Sequence, residues 1–461
     1  MAGTYAQQFL KDSKVKTADL RHRQIMNHNI AQYSEAMSSS LATFRNLENA
    51  KRKAHLIKWR SMENLDKLLP EFESNALKKK IKVLWANDAE EALKEIASIL
   101  SQAGARTIVK SKSMVTEEIG LNEFLEKKNV RPVESDLGEF IVQLLGQKPY
   151  HIVTPAMHLQ REDIAAIFHE RFGTPEDADA ETITMKAREL LRDQFMTADA
   201  VITGANYLIA ETGSIALTEN EGNIRLGTAF PKVHIAIAGI EKIIPSLNDL
   251  DLFWPLLSTH GTGQDLTAYN SVISGPRQPG ETDGPEEMYV ILLDNGRTNL
   301  LANPEQRQGL YCIRCGACLN VCPVYQNIGG HSYGTTYSGP IGSLITPHTE
   351  GMKKFKHLSE ASTLCGKCTE VCPVRIDISR MLLLNRRDAA QAGLMPTTEK
   401  MLWKIFTATT QKRKRLDFFG SKTKNFLIRF FFRKKWGEKR ALPQVAKKPF
   451  SQQWKSGRSG E

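Results

Sequence analysis

The chain contains 461 residues, of which 41% are hydrophobic, so it is long enough for two or three domains and can fill their cores. All seven cysteines lie between Cys312 and Cys372. An odd number confined to one segment excludes a disulfide framework and favours metal ligation in a reducing compartment. The N-terminus lacks an apolar signal sequence, and no run of about 18 apolar residues occurs. We therefore expect a cytoplasmic protein whose contact with a membrane, if it has any, is peripheral.

The net charge of +11 belongs to the C-terminal tail rather than to the body of the chain. From Met401 onward 17 Lys and Arg residues stand against 3 Asp and Glu, which leaves 45 against 48 in the rest. The basic character therefore bears on the partners of the tail and gives no information about those of the body.

Residues 1–70 are predicted to form an N-terminal helical region. Residues 4–80 contain no glycine and a single proline, Pro70, and they mix good helix formers with apolar residues at three- and four-residue spacing. We expect these helices to pack on the domain that follows and to have a structural role.

Residues 71–295 are predicted to form an α/β domain. Strand-like runs alternate with amphipathic helices, the first of which Asp88 is placed to cap. Another helix is expected from about Thr116 to Phe124. Repeated strand–helix units imply a mostly parallel sheet covered on both faces. The predicted strands of the first half are "KVLWAN", "RTIVKS", "VRPVES" and "HIVTP".

Two polar loops of this domain are candidate ligand sites. Glu211–Asn223 places polar residues on glycine turns, where α/β sheets usually form a ligand crevice, although a plain turn between two strands explains it as well. Thr259–Asn270 could hold a phosphate on backbone amides, but it matches neither a dinucleotide fingerprint nor a nucleotide-triphosphate loop. The catalytic residues, if there are any, are unknown at this point. Three histidines lack metal-ligand spacing and are expected to be structural or superficial: His158, His169 and His260.

The cysteine segment gives the strongest functional signal. Cys312, Cys315, Cys318 and Cys322, followed by Pro323, form the iron–sulfur pattern C-x2-C-x2-C-x3-C-P. Three closely spaced thiolates can surround one cluster, while the fourth, next to the proline, ligates another cluster. Zinc would need four ligands per ion, usually as two separated pairs. A zinc site would not explain the third cysteine or the prolines.

A second run, "LCGKCTEVCP", repeats the motif without its first cysteine, and alignment on the proline puts Ser362 at that position. Crossed ligation then predicts Cys312, Cys315, Cys318 and Cys372 for cluster 1, and Cys322, Cys365 and Cys368 for cluster 2. We expect cluster 1 to be [4Fe–4S]. Cluster 2 is expected to be [3Fe–4S], or [4Fe–4S] with its last iron bound by water, by Ser362 or by another group. Further candidates for that group are His331, His348 and His357.

The segment 300–385 resembles the helical dicluster ferredoxin module of multi-subunit dehydrogenases, since 42 residues, partly helical in pattern, separate the two cysteine runs. The remaining residues, 386–461, are predicted to form a basic helical tail in which aromatic residues are interspersed with Lys and Arg. Such a tail can dock an acidic partner, lie on an anionic membrane surface or remain solvated. We expect no nucleic-acid binding, because no nucleic-acid module accompanies it. Disorder is expected from Pro443 onward.

Together these features resemble the lactate-utilisation iron–sulfur protein B family over essentially the whole chain. Besides the cysteine runs, "SKSMVTEEIGLNEFL", "ITGANYLIAETGSIAL" and "STHGTGQDLTAYNSVISGPR" are similar to a lactate-utilisation (LUD) domain. The resemblance implies an α/β fold similar to that of sugar-phosphate isomerases and coenzyme A transferases. It also implies that the chain carries electrons in the oxidation of L-lactate to pyruvate, with two partners, a smaller iron–sulfur protein and a LUD-domain protein. Seven cysteines are then the normal family pattern.

Three functional hypotheses remain open. The chain relays electrons from lactate, or its LUD domain itself binds and oxidises lactate or an activated carboxylate, or its clusters sense redox state in a regulator. Catalysis in the LUD domain would need a base, for which no histidine stands out, and a cation that fixes the carboxylate, for which Arg225 and Arg277 are candidates. An open iron of cluster 2 could also bind substrate. The sequence has no flavin or nicotinamide fingerprint, so it does not identify a hydride acceptor.

Overall fold

The computed structural model describes residues 2–436 and 440–458. Its internal contacts divide the chain into two units, of which the first ends at Ala389 and the second begins at Ala390. Both cysteine runs and the whole of the predicted α/β domain therefore belong to the first unit.

Four helices begin the first unit: α1 (Ala2–Ala18), α2 (Leu20–Leu41), α3 (Leu47–Glu63) and α4 (Leu65–Lys78). Asp19 caps α2 and Asn46 caps α3, because each side chain accepts a backbone N–H from the first turn of its helix. Apolar residues of all four helices join one core cluster with strand residues and with the cysteine segment. The N-terminal helices thus pack on the domains that follow, as expected.

Ten strands follow: β1 (Ile81–Ala86), β2 (Thr107–Lys110), β3 (Arg131–Glu134), β4 (Ala200–Thr203), β5 (Tyr207–Ile209), β6 (Ser214–Glu219), β7 (Val233–Gly239), β8 (Ile243–Ile244), β9 (Tyr269–Ile273) and β10 (Glu287–Leu293). Six of them form a sheet of order β1–β10–β7–β4–β2–β3. All its neighbouring strands are parallel, which confirms the expected parallel sheet. The carboxyl ends of β3, β2, β4 and β7 therefore lie side by side along one edge.

Eight helices accompany these strands: α5 (Ala89–Gln102), α6 (Met114–Glu118), α7 (Leu121–Lys127), α8 (Leu137–Leu144), α9 (Arg161–Phe172), α10 (Ala180–Thr197), α11 (Asn223–Ala229) and α12 (Leu250–Thr262). As predicted, Asp88 caps α5 by accepting the backbone N–H of Glu91 at 2.9 Å. On one face of the sheet, Ile96 of α5 and Leu125 of α7 share a core with Ile235 of β7. The next strand residue faces the other side, where the core includes the N-terminal helices.

Two local predictions are wrong. The expected helix from Thr116 to Phe124 is divided into α6 and α7, because Gly120 adopts a left-handed conformation (φ 66°) between them. The run 151–155 is a loop instead of a strand. The imidazole of His151 accepts two backbone N–H groups of this run, at 3.1 and 3.2 Å, which removes them from any strand ladder.

A second, four-stranded sheet of order β8–β5–β6–β9 lies in the same domain. Strands β5 and β6 are antiparallel, and the loop after β6 leads directly into α11. This loop forms the second half of the polar segment that the sequence indicated as a ligand crevice.

The cysteine segment and the tail are helical, as predicted. Their helices are α13 (Arg297–Leu301), α14 (Ala317–Asn320), α15 (Pro323–Ile328), α16 (Gly339–Thr346), α17 (Met352–Glu360), α18 (Lys367–Glu370), α19 (Ile378–Gln391), α20 (Thr397–Thr410), α21 (Arg413–Asp417), α22 (Ser421–Trp436) and α23 (Phe450–Arg458). Of the helices described, none is both long and apolar enough to cross a membrane. Helix α23 falls within the predicted disordered end, of which residues 459–461 lie outside the described residues.

Candidate iron–sulfur centres and the adjoining cavity

The two cysteine runs fold into the same local structure. In the first run, Arg314 and Gly316 flank the second cysteine in left-handed conformations (φ 63° and 77°), and α14 follows. In the second run, Leu364 and Gly366 flank the equivalent cysteine in the same way (φ 54° and 84°), and α18 follows. Left-handed backbone is uncommon for residues such as Arg and Leu, so its recurrence marks the two runs as structural repeats.

Ser362 lies where the first run has Cys312. The Sγ of Cys312 accepts the backbone N–H of Arg314 at 3.4 Å, and the Oγ of Ser362 accepts that of Leu364 at 3.2 Å. Each bond joins a side chain to the residue two positions later. The serine oxygen therefore makes the same backbone hydrogen bond as the equivalent thiol of the first run.

Cys372 lies with the cysteines of the first run. It lines one small cavity with apolar walls, including Ile341, together with Cys312, Cys315 and Cys318. Burial, and then the thiols of Cys312 and Cys372, raise the pKa of Cys315. Four thiols that converge on an apolar space fit a cubane cluster, which takes thiolate ligands and is itself weakly solvated.

The three other cysteines form a second group that is closer to solvent. Burial, and then the thiols of Cys322 and Cys365, raise the pKa of Cys368 to about 11. Cys365 is exposed, whereas Cys322 and Cys368 are half-buried. The first group thus has four buried or half-buried thiols. The second group has three more accessible thiols, and Ser362 takes the position of a fourth.

A buried ionic network holds the first cysteine loop against the sheet. The guanidinium of Arg314 lies over the ring of Tyr337, 4.4 Å from its centroid, and donates to Glu241 at 3.3 Å. Arg297 donates to Glu241 at 2.5 Å and to Glu118 at 2.9 Å. Burial alone would raise the pKa of Glu241, but the charges of Arg297 and Arg314 outweigh it and lower the pKa to about 2.

A cavity of about 310 Å³ lies at the carboxyl edge of the six-stranded sheet. Lys112, Asp136 and Lys242, which line it, follow β2, β3 and β7. Arg314 of the first cysteine loop closes it on another side. We call it the sheet-edge cavity. Its position matches the crevice where open α/β sheets bind their ligands.

Both polar loops indicated by the sequence reach this cavity. Glu219 and Asn220 of the first loop line it, and so do Gly261 and Thr262 of the second. The two loops are far apart in sequence, and the pairing of β6 with β9 brings them together.

The two arginines that the sequence suggested as carboxylate ligands do not line the cavity. Arg225 is exposed, and its guanidinium lies 5.7 Å from the ring centroid of Tyr269. Arg277 pairs with Glu286 at 3.3 Å. Three cations do line the cavity, Lys112, Lys242 and Arg314, and none of them was singled out from the sequence. A lysine soon after a buried strand and an arginine inside the cysteine motif were the available signals.

The histidines have structural partners. His158 bonds Gln147 at 2.9 Å, and His169 and His260 bond backbone carbonyls at 2.5 and 2.9 Å. Among the candidates for the missing ligand, His331 bonds the carbonyl of Lys148 at 2.7 Å and His348 bonds the side chain of Asn385 at 2.8 Å. The third candidate, His357, packs on the ring of Phe9 with 5.5 Å between centroids.

Comparison with known families assigns both parts of the first unit. The LUD domain family matches residues 69–293, and the 4Fe–4S dicluster domain family matches residues 308–376. The chain is therefore a LUD-domain protein that also carries an iron–sulfur dicluster domain.

Lactate utilization protein B of Bacillus licheniformis is 42% identical over 373 residues, which cover 78% of each chain. The protein of the same name from Shouchella clausii is 40% identical over 89% of each chain. An uncharacterized electron transport protein of Escherichia coli K12, YkgF, is 39% identical over 75% of this chain and 72% of its own. The chain belongs to the lactate utilization protein B family.

A solved DUF162 family protein from Deinococcus radiodurans matches 50% of this chain and 98% of its own, at 17% identity and a TM-score of 0.28, too low to support a conclusion about fold.

Proposed function

We propose that this chain is the iron–sulfur electron-transfer component of a system that oxidises L-lactate to pyruvate as a carbon source. The observation that carries the proposal is the separation of seven cysteines into a group of four, three of which are buried, and a more accessible group of three. The names of the relatives, which refer to lactate utilization and to electron transport, supply the substrate and the class of activity.

The proposed ligands of cluster 1, a [4Fe–4S] cluster, are Cys312, Cys315, Cys318 and Cys372. The proposed cysteine ligands of cluster 2 are Cys322, Cys365 and Cys368, and we infer that its fourth ligand is the Oγ of Ser362. The convergence of the first four thiols on one cavity, and the matching backbone hydrogen bonds of Ser362 and Cys312, support these assignments. When bound, such clusters accept and release single electrons.

The residues around the first group fix it and protect it from water. Backbone N–H groups of Arg314 and Ile376 donate to the sulfurs of Cys312 and Cys372 at 3.4 and 3.3 Å. Hydrogen bonds to ligand sulfurs are among the factors that set the reduction potential. The ionic network beneath Arg314 holds the backbone that makes the first of these bonds.

We propose two partners, a smaller iron–sulfur protein and a separate LUD-domain protein. The two-electron oxidation of a hydroxy acid needs a hydride or paired-electron acceptor, which single-electron clusters do not supply. A partner that completes this chemistry would reduce the present chain. The exposed Cys365 group and the basic tail are the surfaces proposed for docking.

The experiment is an anaerobic reduction assay. The reconstituted chain is mixed with L-lactate, alone and with each partner, and bleaching of the iron–sulfur visible absorption is followed. We expect bleaching only when a partner is present. Bleaching of the chain alone would make it the lactate-oxidising component, and no bleaching with both partners would remove it from lactate oxidation.

A further inference from the structure

The sheet-edge cavity is lined by two cationic residues that carry donor nitrogens without a partner among the described residues. Lys242 is only 6% exposed and lines the cavity, yet among the described residues none makes a hydrogen bond or an ion pair with its ammonium group. Nη1 of Arg314 is buried and also has no partner. Buried polar groups are nearly always hydrogen-bonded, and an unpaired buried charge is costly. Because both residues line this cavity, their unsatisfied donors indicate a ligand that accepts hydrogen bonds.

The carboxylates of the cavity, in contrast, already have partners. Glu219 accepts the backbone N–H groups at the start of α11 at 2.6 and 3.0 Å. Glu221 accepts the N–H of Leu137, the first residue of α8, at 3.1 Å. Asp136 caps α8 by accepting the N–H of Glu139 at 3.0 Å. The third cation, Lys112, donates to the carbonyl of Val153. The unsatisfied donors of Lys242 and Arg314 are cationic, whereas the carboxylates already accept hydrogen bonds, so the cavity favours an anion as its ligand.

The remaining walls restrict what kind of anion fits. Ile152, Val153, Leu217 and Leu257 give the cavity an apolar side. Its volume of about 310 Å³ is at the lower end of the range for ligand sites. A small organic carboxylate with a short apolar group satisfies both the cations and the apolar wall, whereas inorganic phosphate leaves the apolar wall without a contact.

The cavity also shares a wall with the first cysteine group. Arg314 and Ile152 line both the sheet-edge cavity and the small cavity that holds Cys312, Cys315, Cys318 and Cys372. A ligand bonded to Arg314 thus lies next to the loop proposed to hold cluster 1. The spectrum of that cluster is therefore expected to report on occupancy of the cavity.

We propose that the sheet-edge cavity binds a small α-hydroxy or α-keto monocarboxylate, of the size of lactate or pyruvate, with its carboxylate between Lys242 and Arg314. The choice of this acid class rests on the proposed function, whereas the anion site rests on the unsatisfied donors of Lys242 and Arg314. The site is distinct from the exposed arginines Arg225 and Arg277, which the sequence had suggested for this task.

The test is calorimetric titration of the reconstituted chain, under anaerobic conditions, with L-lactate, pyruvate, inorganic phosphate and lactamide, the neutral analogue of lactate. We expect lactate or pyruvate to bind and lactamide not to bind. Lys242→Met should weaken binding roughly 10- to 100-fold, because it removes a hydrogen bond to a charged group. The matched control is Lys232→Met, an exposed lysine just before β7, which should leave binding unchanged.

Several results would overturn the proposal: no binding of either carboxylate, equal binding of lactamide, preference for phosphate, or unchanged affinity in Lys242→Met. If Lys242→Met loses its clusters or unfolds, the comparison of lactate with lactamide on the wild-type chain decides the question. A second measurement is the EPR spectrum of reduced cluster 1, which should change with pyruvate and remain unchanged with lactamide. Absence of binding, together with normal partner-dependent bleaching, would reject this site and leave the proposed electron-transfer function intact.

Discussion

At the scale of single residues, the most informative position is Ser362. It occupies the place of Cys312 in a repeated backbone turn and accepts the same kind of backbone hydrogen bond. An alkoxide or hydroxyl oxygen is a harder ligand than a thiolate, so replacing sulfur by oxygen at one iron alters the potential of the cluster without removing its cage of ligands. Under the proposed ligation by Ser362, the missing cysteine is a property of the site and not a defect.

Two substitutions of Ser362 should have opposite effects on cluster 2. Ser362→Cys should complete a four-thiolate set, so we expect a changed EPR signal and midpoint potential for cluster 2, with those of cluster 1 unchanged. Ser362→Ala should lose about one iron atom per chain and increase the three-iron form. Iron analysis and EPR during a redox titration measure both effects. Ser101→Ala, exposed on α5, is the control, and identical spectra for all variants would show that Ser362 is not a ligand.

The sequence supports prediction of single residues only where the chemistry is local. The seven cysteines and the position of Ser362 follow from a spacing of a few residues, and that spacing directs both runs into the same turn. Lys242 and Arg314 could not be identified in this way, because they meet only when β7 ends beside the cysteine loop. The arginines proposed instead, Arg225 and Arg277, are visible in the sequence but lie on the surface.

At the scale of elements, the carboxyl ends of β2 and β3 carry a buried charge cluster. Lys110 is fully buried and pairs with Glu134 at 2.9 Å and Glu117 at 3.0 Å, while Glu139 lies 4.0 Å away. Burial and then the charge of Glu134 raise the pKa of Glu139 well above its usual value. One lysine therefore compensates several acids in the interior, beside the wall of the sheet-edge cavity.

Lys110→Met should destabilise the protein by about 3–5 kcal/mol, because it leaves buried carboxylates without a counterion. In the variant, raised carboxyl pKa values mean that the folded state holds protons that the unfolded state releases. Its stability is therefore lost as the pH rises, and the loss relative to wild type should be larger near about pH 8 than near about pH 6. Urea unfolding at both pH values measures this. Lys94→Met, which removes an exposed pair with Glu90, should change little.

Helices and strands were predicted correctly where the local residue pattern and the tertiary contacts favour the same structure. The strands β1, β2 and β3 follow the apolar runs, and the cap at Asp88 is a local signal. The run 151–155 has the composition of a strand. It forms a loop instead, because the side chain of His151 accepts two of its backbone N–H groups. Gly120 was a local signal for the break between α6 and α7. The apolar periodicity continues across it and predicted a single helix.

The helices of the second unit carry the exposed basic and aromatic residues of the tail, such as Trp403 and Phe430, which are 54% and 71% exposed. Removal of residues 397–461 should leave iron content and urea unfolding of the remainder unchanged, since the cysteines belong to the first unit. We expect partner-dependent reduction to slow and to lose most of its salt dependence, because the tail supplies screened electrostatic attraction. Stopped-flow reduction at two ionic strengths measures this. An unchanged rate, with loss of binding to anionic vesicles, would assign the tail to a membrane surface instead.

At the scale of the whole molecule, the proposed sites form a series from interior to surface. The sheet-edge cavity shares Arg314 with the buried cysteine group, and the second group ends at the exposed Cys365. The proposed crossed ligation would join the two groups, since Cys372 lies with the thiols of the first run and Cys322 lies with Cys365 and Cys368. A substrate at the sheet edge and a partner at the surface would thus face different ends of the same pair of centres.

This asymmetry predicts that iron is released in two phases. An iron chelator should first remove the iron bound by the accessible group of Cys322, Cys365 and Cys368. It should remove the iron bound by the buried thiols of Cys315, Cys318 and Cys372 only later, because the chelator must reach the iron through solvent. EPR during the reaction distinguishes the two signals. Ser362→Cys should slow the first phase and not the second, since the added thiolate protects only the accessible group. Simultaneous loss of both signals would mean that the two centres open together, and that the buried group is not shielded by the LUD domain.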